Sequence, residues 1–206
     1  MASFALSTQL PQLRMIRSLT NNFTLPEPRL PPGFSLRKIR PDDLLQWVGL
    51  LQQNRDLGLW DEARGREWFF STAKPMIFDG SFFMLHESRC VATACLLSDP
   101  TWPAPTGILG WVAVCPDFRG NRLGFEVSLA VVRAARSHGC RQIHLRTDDW
   151  RLPAIKTYLR LGFVPYVADA SDVDRWHLVL ARIGVAVPES MWVTVPNRAV
   201  DETTRR

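Results

Sequence analysis

The four cysteines, Cys90, Cys95, Cys115 and Cys140, form no CxxC pair, and the four histidines, His86, His138, His144 and His177, form no HxxxH or HExxH pair. Those absences argue against a structural zinc site, and no metal is expected. No Gly-Lys-Ser/Thr loop and no Gly-x-Gly-x-x-Gly is present, so neither an NTPase nor a dinucleotide oxidoreductase is indicated. No apolar run approaches the length of a membrane span, and residues 1–17 lack the long apolar core of a secretory signal. Cys90, Cys95 and Cys115 fall in or beside apolar runs, where a reduced thiol acts as a small hydrophobe. A cytoplasmic address without membrane contact is the expectation.

What is present suits one globular domain: 206 residues, 46% hydrophobic and 22% charged. A net charge of +5 fits a nucleic acid or a small molecule bearing several phosphates equally well. Residues 1–32 are rich in Pro, Asn, Ser and Thr, and the run LPEPRLPPG cannot hold a helix, so an extended or partly disordered arm is expected there. The domain itself is expected over 33–184, with a surface tail over 185–206.

Periodicity supplies the elements. FSLRKI alternates as a half-buried strand, and LLQWVGLLQQ repeats its apolar residues at helical spacing behind Asp42 and Asp43. A second helix is read over 61–73, then a β-hairpin whose arms, 81–86 and 91–97, flank Glu87-Ser88-Arg89. The strand ILGWVAV follows, then a helix ending at Gly139, the strand QIHLR, the helix LPAIKTYLRLG and the strand FVPYV. Residues 171–183 read as a helix behind Ser171, with a strand within 177–181 as the alternative. The order is that of an α/β (α+β) fold around one central sheet.

The stretch VAVCPDFRGNRLGFEV, residues 112–127, poses an electrostatic problem. Arg119 and Arg122 flank the start of a helix, where unpaired N–H groups already present positive charge. An anion in front of the turn removes the conflict, since backbone N–H groups and both guanidinium groups would then face phosphate oxygens. The other reading of the turn alone is a surface bend with both arginines in water.

The stretch Arg119-Gly120-Asn121-Arg122-Leu123-Gly124, introduced by Val114-Cys115-Pro116-Asp117-Phe118, resembles the pyrophosphate loop of the GNAT acyltransferase superfamily, Arg/Gln-x-x-Gly-x-Gly/Ala. Arg122 stands where that pattern has its central glycine, and a side chain there calls for an ordinary backbone conformation. One strand later, residues 151–163 resemble the family's Asn-x-x-Ala-x-x-x-Tyr-x-x-x-Gly-Phe through Ala154, Tyr158, Gly162 and Phe163, with Arg151 in place of the asparagine.

The resemblance implies a mixed, mostly antiparallel central sheet flanked by helices and splayed between its fourth and fifth strands. It implies acetyl-CoA, or another acyl-CoA, as co-substrate, with the pyrophosphate on Arg119, Gly120, Asn121, Arg122, Leu123 and Gly124. Val112 and Val114 match the positions whose backbone N–H serves the thioester carbonyl, and Tyr158 matches the general acid. The implied reaction is direct attack by a primary amine of a small molecule, protein or peptide. Glu62, Glu67, Glu87 and Asp99 are candidate bases without a motif behind any of them, and Trp60, Trp68 and Trp102 are candidate walls of an acceptor pocket. A non-catalytic acyl-CoA-binding protein of this fold is the alternative. A nucleic-acid module using Arg133, Arg136, Arg141 and the terminal Arg205 and Arg206 is disfavoured because those residues are scattered over different elements. A homodimer is compatible with either reading.

Overall fold

A computed structural model of the protein describes residues 10–20, 25–102 and 105–194. Its strands are β1 (Leu13–Ser18), β2 (Phe34–Lys38), β3 (Phe82–His86), β4 (Arg89–Ser98), β5 (Thr106–Val114), β6 (Gln142–Thr147), β7 (Val164–Val167) and β8 (Val193–Thr194). They form one sheet in the order β2-β3-β4-β5-β6-β1-β7-β8, antiparallel except for the pairs β5–β6 and β7–β8. The helices are α1 (Leu44–Gln52), α2 (Glu62–Phe69), α3 (Leu123–Ser137), α4 (Leu152–Arg160) and α5 (Ser171–Ile183).

β4 is buried at every position over 90–97, which requires a layer on each face of the sheet. α1 supplies one layer and α3 the other, and both pack on β4. α4 packs beside α3, and α5 packs beside α4 and against β7. On the three strands β6, β1 and β7 the face carrying Leu13, Met15, Ile143, Leu145 and Val167 is buried. On the other face Ile16 and His144 are also buried, whereas Arg14, Ser18, Arg146 and Tyr166 are half-buried or exposed.

β5 and β6 pair over only three positions, Thr106–Gln142, Gly107–Ile143 and Ile108–His144, and then part. Each is held on its far side. Val114 of β5 still pairs with Ala92 of β4, and Thr147 of β6 still pairs with Leu13 of β1. These are the fourth and fifth strands of the sequence reading, renumbered by one because β1 precedes them.

That extra strand is the main difference from the sequence reading, which placed Leu13–Ser18 in an N-terminal arm. The segment instead fills the sheet between β6 and β7. Its alternation is masked by two arginines, and its partners lie more than a hundred residues away, where composition gives no signal. Residues 171–183 are helical, closed by Gly184 in the left-handed region at φ 64°. In the expected tail, Val193 and Thr194 add β8 to the sheet, and residues 195–206 lie outside the described residues.

If β1 is integral to the core, Met15→Ala, at a fully buried position, lowers the unfolding free energy by roughly 2–5 kcal/mol. A change of less than about 0.5 kcal/mol, measured by urea unfolding, would mean that this strand is a loosely held arm.

Candidate functional site

The chain leaves β5 through Cys115 and a short 3-10 turn at Pro116–Phe118, and reaches α3 through the loop over 119–122. Gly120 (φ 86°) and Arg122 (φ 60°) are both left-handed, with Asn121 between them. Such alternation turns successive N–H groups toward one side, as in an anion nest. Among the described residues no backbone carbonyl accepts from the N–H groups of Gly120, Arg122, Leu123 or Gly124. A Cβ on Gly120 would meet nothing within 4 Å, so space in front of the loop is open.

The expectation that a side chain at position 122 imposes an ordinary backbone conformation is corrected. Arg122 keeps the left-handed geometry, a strain of roughly 1–2 kcal/mol for a residue with a Cβ. Its guanidinium lies over the Phe125 ring, at 5.3 Å, and its Nη2 is 3.5 Å from Oε1 of Glu126. The Arg122 side chain is 70% exposed, whereas Glu126 is buried and accepts from the Arg29 N–H at 2.8 Å. Glu126 therefore meets part of the positive charge at the start of α3, while the N–H groups of the loop stay open. Arg119 reaches across to the segment just after α1, donating from Nη2 to Asn54 Oδ1 at 3.0 Å.

Upstream, β5 carries a bulge. Thr93 pairs with Ala113 and Cys95 with Gly110, so Trp111 and Val112 together oppose Ala94. Trp111 sits at φ 52°, an outlier for a bulky side chain. It is held by ring contacts with Trp47, Trp60 and Trp68, at centroid distances of 5.8, 5.0 and 5.2 Å. The bulge lifts backbone at Val112 out of the regular ladder, and Val112, Ala113 and Val114 line a cleft of about 910 Å³. The loop residues Arg119, Gly120, Arg122, Leu123 and Gly124 line the same cleft, as do Ala154, Thr157 and Tyr158 of α4. Asn121 is exposed and is not among the lining residues; its side-chain amide donates to Phe118 O at 3.3 Å.

Pro153 lies in the first turn of α4, and the helix turns Ile155 into the core and Tyr158 to the cleft wall. Burial pushes the Tyr158 phenol up to about 12, with the Arg151 charge pulling the other way. Among the described residues its hydroxyl has no hydrogen-bond partner, so it is not tied into the core through a carbonyl. Arg151 lines the cleft, donates to Asp56 O and pairs through Nε with Asp148 Oδ2 at 2.9 Å.

The other candidates separate. Cys115 is fully buried, its thiol pushed up by burial and donating to Gln53 Oε1 at 3.2 Å, which makes it a packing residue. Glu62 pairs with Arg66, and Glu87 occupies the hairpin turn with φ 55°. Asp99 is buried against His144, with Oδ2 to Nε2 at 3.1 Å, and accepts from the Thr101 hydroxyl. Burial holds the His144 ring below its ordinary pKa despite the Asp99 hydrogen bond. Of the three candidate acceptor walls, Trp60 and Trp68 gather at Trp111, whereas Trp102 stacks on His144 at 5.1 Å. Trp111, Asn54 and the Asp99–His144 pair escaped the sequence reading as a group, because only strand register brings them together. Among the described residues, no three His, Cys, Asp or Glu side chains gather as a metal site, and no helix is long and apolar enough to cross a membrane.

Since Arg122 strains the backbone and its exposed head rests on Phe125 and Glu126, Arg122→Gly raises the unfolding free energy by about 1 kcal/mol. Its acetyl-CoA affinity, measured by calorimetry, stays within roughly five-fold of the parent, as expected for loss of an exposed charge. A destabilised variant would contradict the strain assigned to this residue.

Comparison with known proteins agrees with this geometry. The model of the Acetyltransferase (GNAT) family matches residues 44–163. A mycothiol acetyltransferase of Frankia casuarinae is 30% identical over 173 residues, covering 77% of this chain and 49% of that protein. In fold, a GCN5-related N-acetyltransferase from Sphaerobacter thermophilus superposes with a TM-score of 0.63 at 18% identity, over 76% of this chain and 49% of that one. A tandem GNAT protein from the clavulanic acid biosynthesis pathway gives 0.60 at 19% identity, over 77% and 51%. The chain spans about half the length of the curated relatives it matches. With its splayed sheet, N–H-lined loop and matched motifs, the chain belongs to the GNAT acetyltransferase family.

Proposed function

We propose that this domain transfers an acetyl group from acetyl-CoA, or another acyl-CoA, to a primary amine by direct attack. One observation carries the reading: the open N–H groups of the 119–124 loop and the unpartnered Tyr158 hydroxyl line one cleft, entered where β5 and β6 part. The cleft residues fit the co-substrate. A polyphosphate matches the loop, and an extended thiol arm matches the gap between the strands, which offers free backbone edges for hydrogen bonding.

In this reading Gly120, Arg122, Leu123 and Gly124 hold the pyrophosphate by their N–H groups, with Arg119 and Asn121 at the loop's edge. The bulge at Trp111–Val112 aims a backbone N–H at the thioester carbonyl, where it stabilises the oxygen as negative charge develops; Val114 lies one step nearer the loop. Tyr158 donates its phenolic proton to the departing thiolate, with Arg151 offsetting the charge left on oxygen. The tryptophans around Trp111 fix the strained bulge in place. The relatives are named mycothiol acetyltransferases, and a small-molecule or peptide amine is the acceptor class we assign here. The cytoplasm is the address we assign, with residues 33–184 and β1 as the acting domain.

Release of CoA thiol in the presence of an amine panel is the direct assay. Tyr158→Phe lowers kcat by roughly 10²-fold with little change in acetyl-CoA affinity, as expected for loss of a general acid. Equal losses in binding and turnover would instead make Tyr158 a wall residue. The pH dependence has a definite sign. With its folded-state pKa pushed up to about 12, Tyr158 keeps its proton throughout the range below that value. The kcat profile therefore shows no alkaline decline near pH 10. A decline there that vanishes in Tyr158→Phe would contradict the buried, protonated phenol.

A further inference from the structure

The sheet holds a second positive feature, away from the nucleotide loop. Arg14 of β1 lies directly opposite Arg146 of β6 on one side and Tyr166 of β7 on the other. Directly opposed residues have Cβ atoms about 5 Å apart, and like charges so placed are destabilising. No carboxylate among the described residues pairs with either guanidinium. The nearby acids are engaged: Asp148 with Arg151 and Gln12, and Asp99 with His144 and Thr101. Lys74 adds a third cation close enough, like Arg146, to act on the His144 ring. Beside the arginines, Tyr166 contacts Trp102 at 5.7 Å, and Trp102 stacks on His144, forming an aromatic border.

Register places this row beside the reacting end of the cleft. Ile108 of β5 is level with His144 of β6 in the parallel pair. Arg146 lies two residues beyond His144 and Gly110 two residues beyond Ile108, so they share level and face, with the gap between the strands opening there. Gly110 is opposite Cys95, whose thiol meets Trp47 of α1, so this is the α1 face and adjoins Trp111. α3, α4 and α5 cover the other face, where Leu13, Met15 and Leu145 are buried.

We propose that Arg14 and Arg146 bind a carboxylate on the acceptor, so that the acceptor is an amine that also carries an acid group. Held at the acid end beside the exposed Arg146, such a molecule lies along the α1 side of the gap with its amine directed to the bulge. A planar guanidinium pair matches carboxylate oxygens, and the bound acid removes the repulsion between the two cations. This inference rests on the acyl-transfer reading for the amine's fate, but the acid site is tested by binding alone.

The probes are ω-amino carboxylates of two to six carbons, each paired with its ω-amino carboxamide, titrated by calorimetry into the protein with and without acetyl-CoA. The expected result is at least ten-fold tighter binding of one or more carboxylates than of the matched amides. Arg14→Gln and Arg146→Gln each abolish that preference while acetyl-CoA binds as before. Equal affinity within every pair, no binding by any probe, or a preference that survives in both variants overturns the proposal. Arg146 is exposed, so its replacement reports on the site even if the Arg14 variant folds poorly. Acetyl-CoA titrated alone tests the acyl-transfer reading separately: its failure to bind sinks that reading, whereas loss of the carboxylate preference sinks only this one.

Discussion

The parting of β5 from β6 is the constraint on which the site depends. Two parallel strands that separate after three paired residues leave backbone groups without partners, a cost that most sheets avoid. Here the separation is tolerable because each strand is anchored elsewhere: β5 by β4 out to Val114, and β6 by β1 out to Thr147. Without β1, the far half of β6 would have no ladder on either side. The opened gap gives an extended ligand access to backbone edges, with the loop at one end of it and the Trp111 bulge along its wall.

Charge organises the same region. Among the described residues the N–H groups of Gly120, Arg122, Leu123 and Gly124 have no backbone carbonyl to receive them, and Glu126 supplies counter-charge from inside the helix. On the α1 face, Arg14 and Arg146 repeat the theme with side chains in place of backbone. Both features are unfavourable in isolation, and under the proposed reading a bound anion offsets each.

The loop and Tyr158 could be singled out in the sequence because their signals are local, six consecutive residues in one case and a four-residue spacing to Gly162 in the other, and the structure lines one cleft with both. The helices and the hairpin were legible through period and caps. Three features were not. β1 is a strand only by virtue of partners at 142–147 and 164–166. The bulge depends on a one-residue mismatch between β4 and β5, which no composition reveals, and its tryptophans converge from three elements. The left-handed Arg122 runs against its residue type, and the loop imposes the conformation that the family pattern gives to glycine. Each miss lies where tertiary context overrides a local preference, at the positions that shape the cleft.

The central claim is that the N–H groups of the 119–124 loop seat the pyrophosphate. Amide resonances of a ¹⁵N-labelled sample, followed during titration with acetyl-CoA and separately with acetyl-pantetheine, test it most directly. The account predicts that Gly120, Arg122, Leu123 and Gly124 shift strongly with acetyl-CoA and hardly at all with acetyl-pantetheine, which lacks the pyrophosphate. Saturable acetyl-CoA binding that leaves those four resonances in place would contradict it.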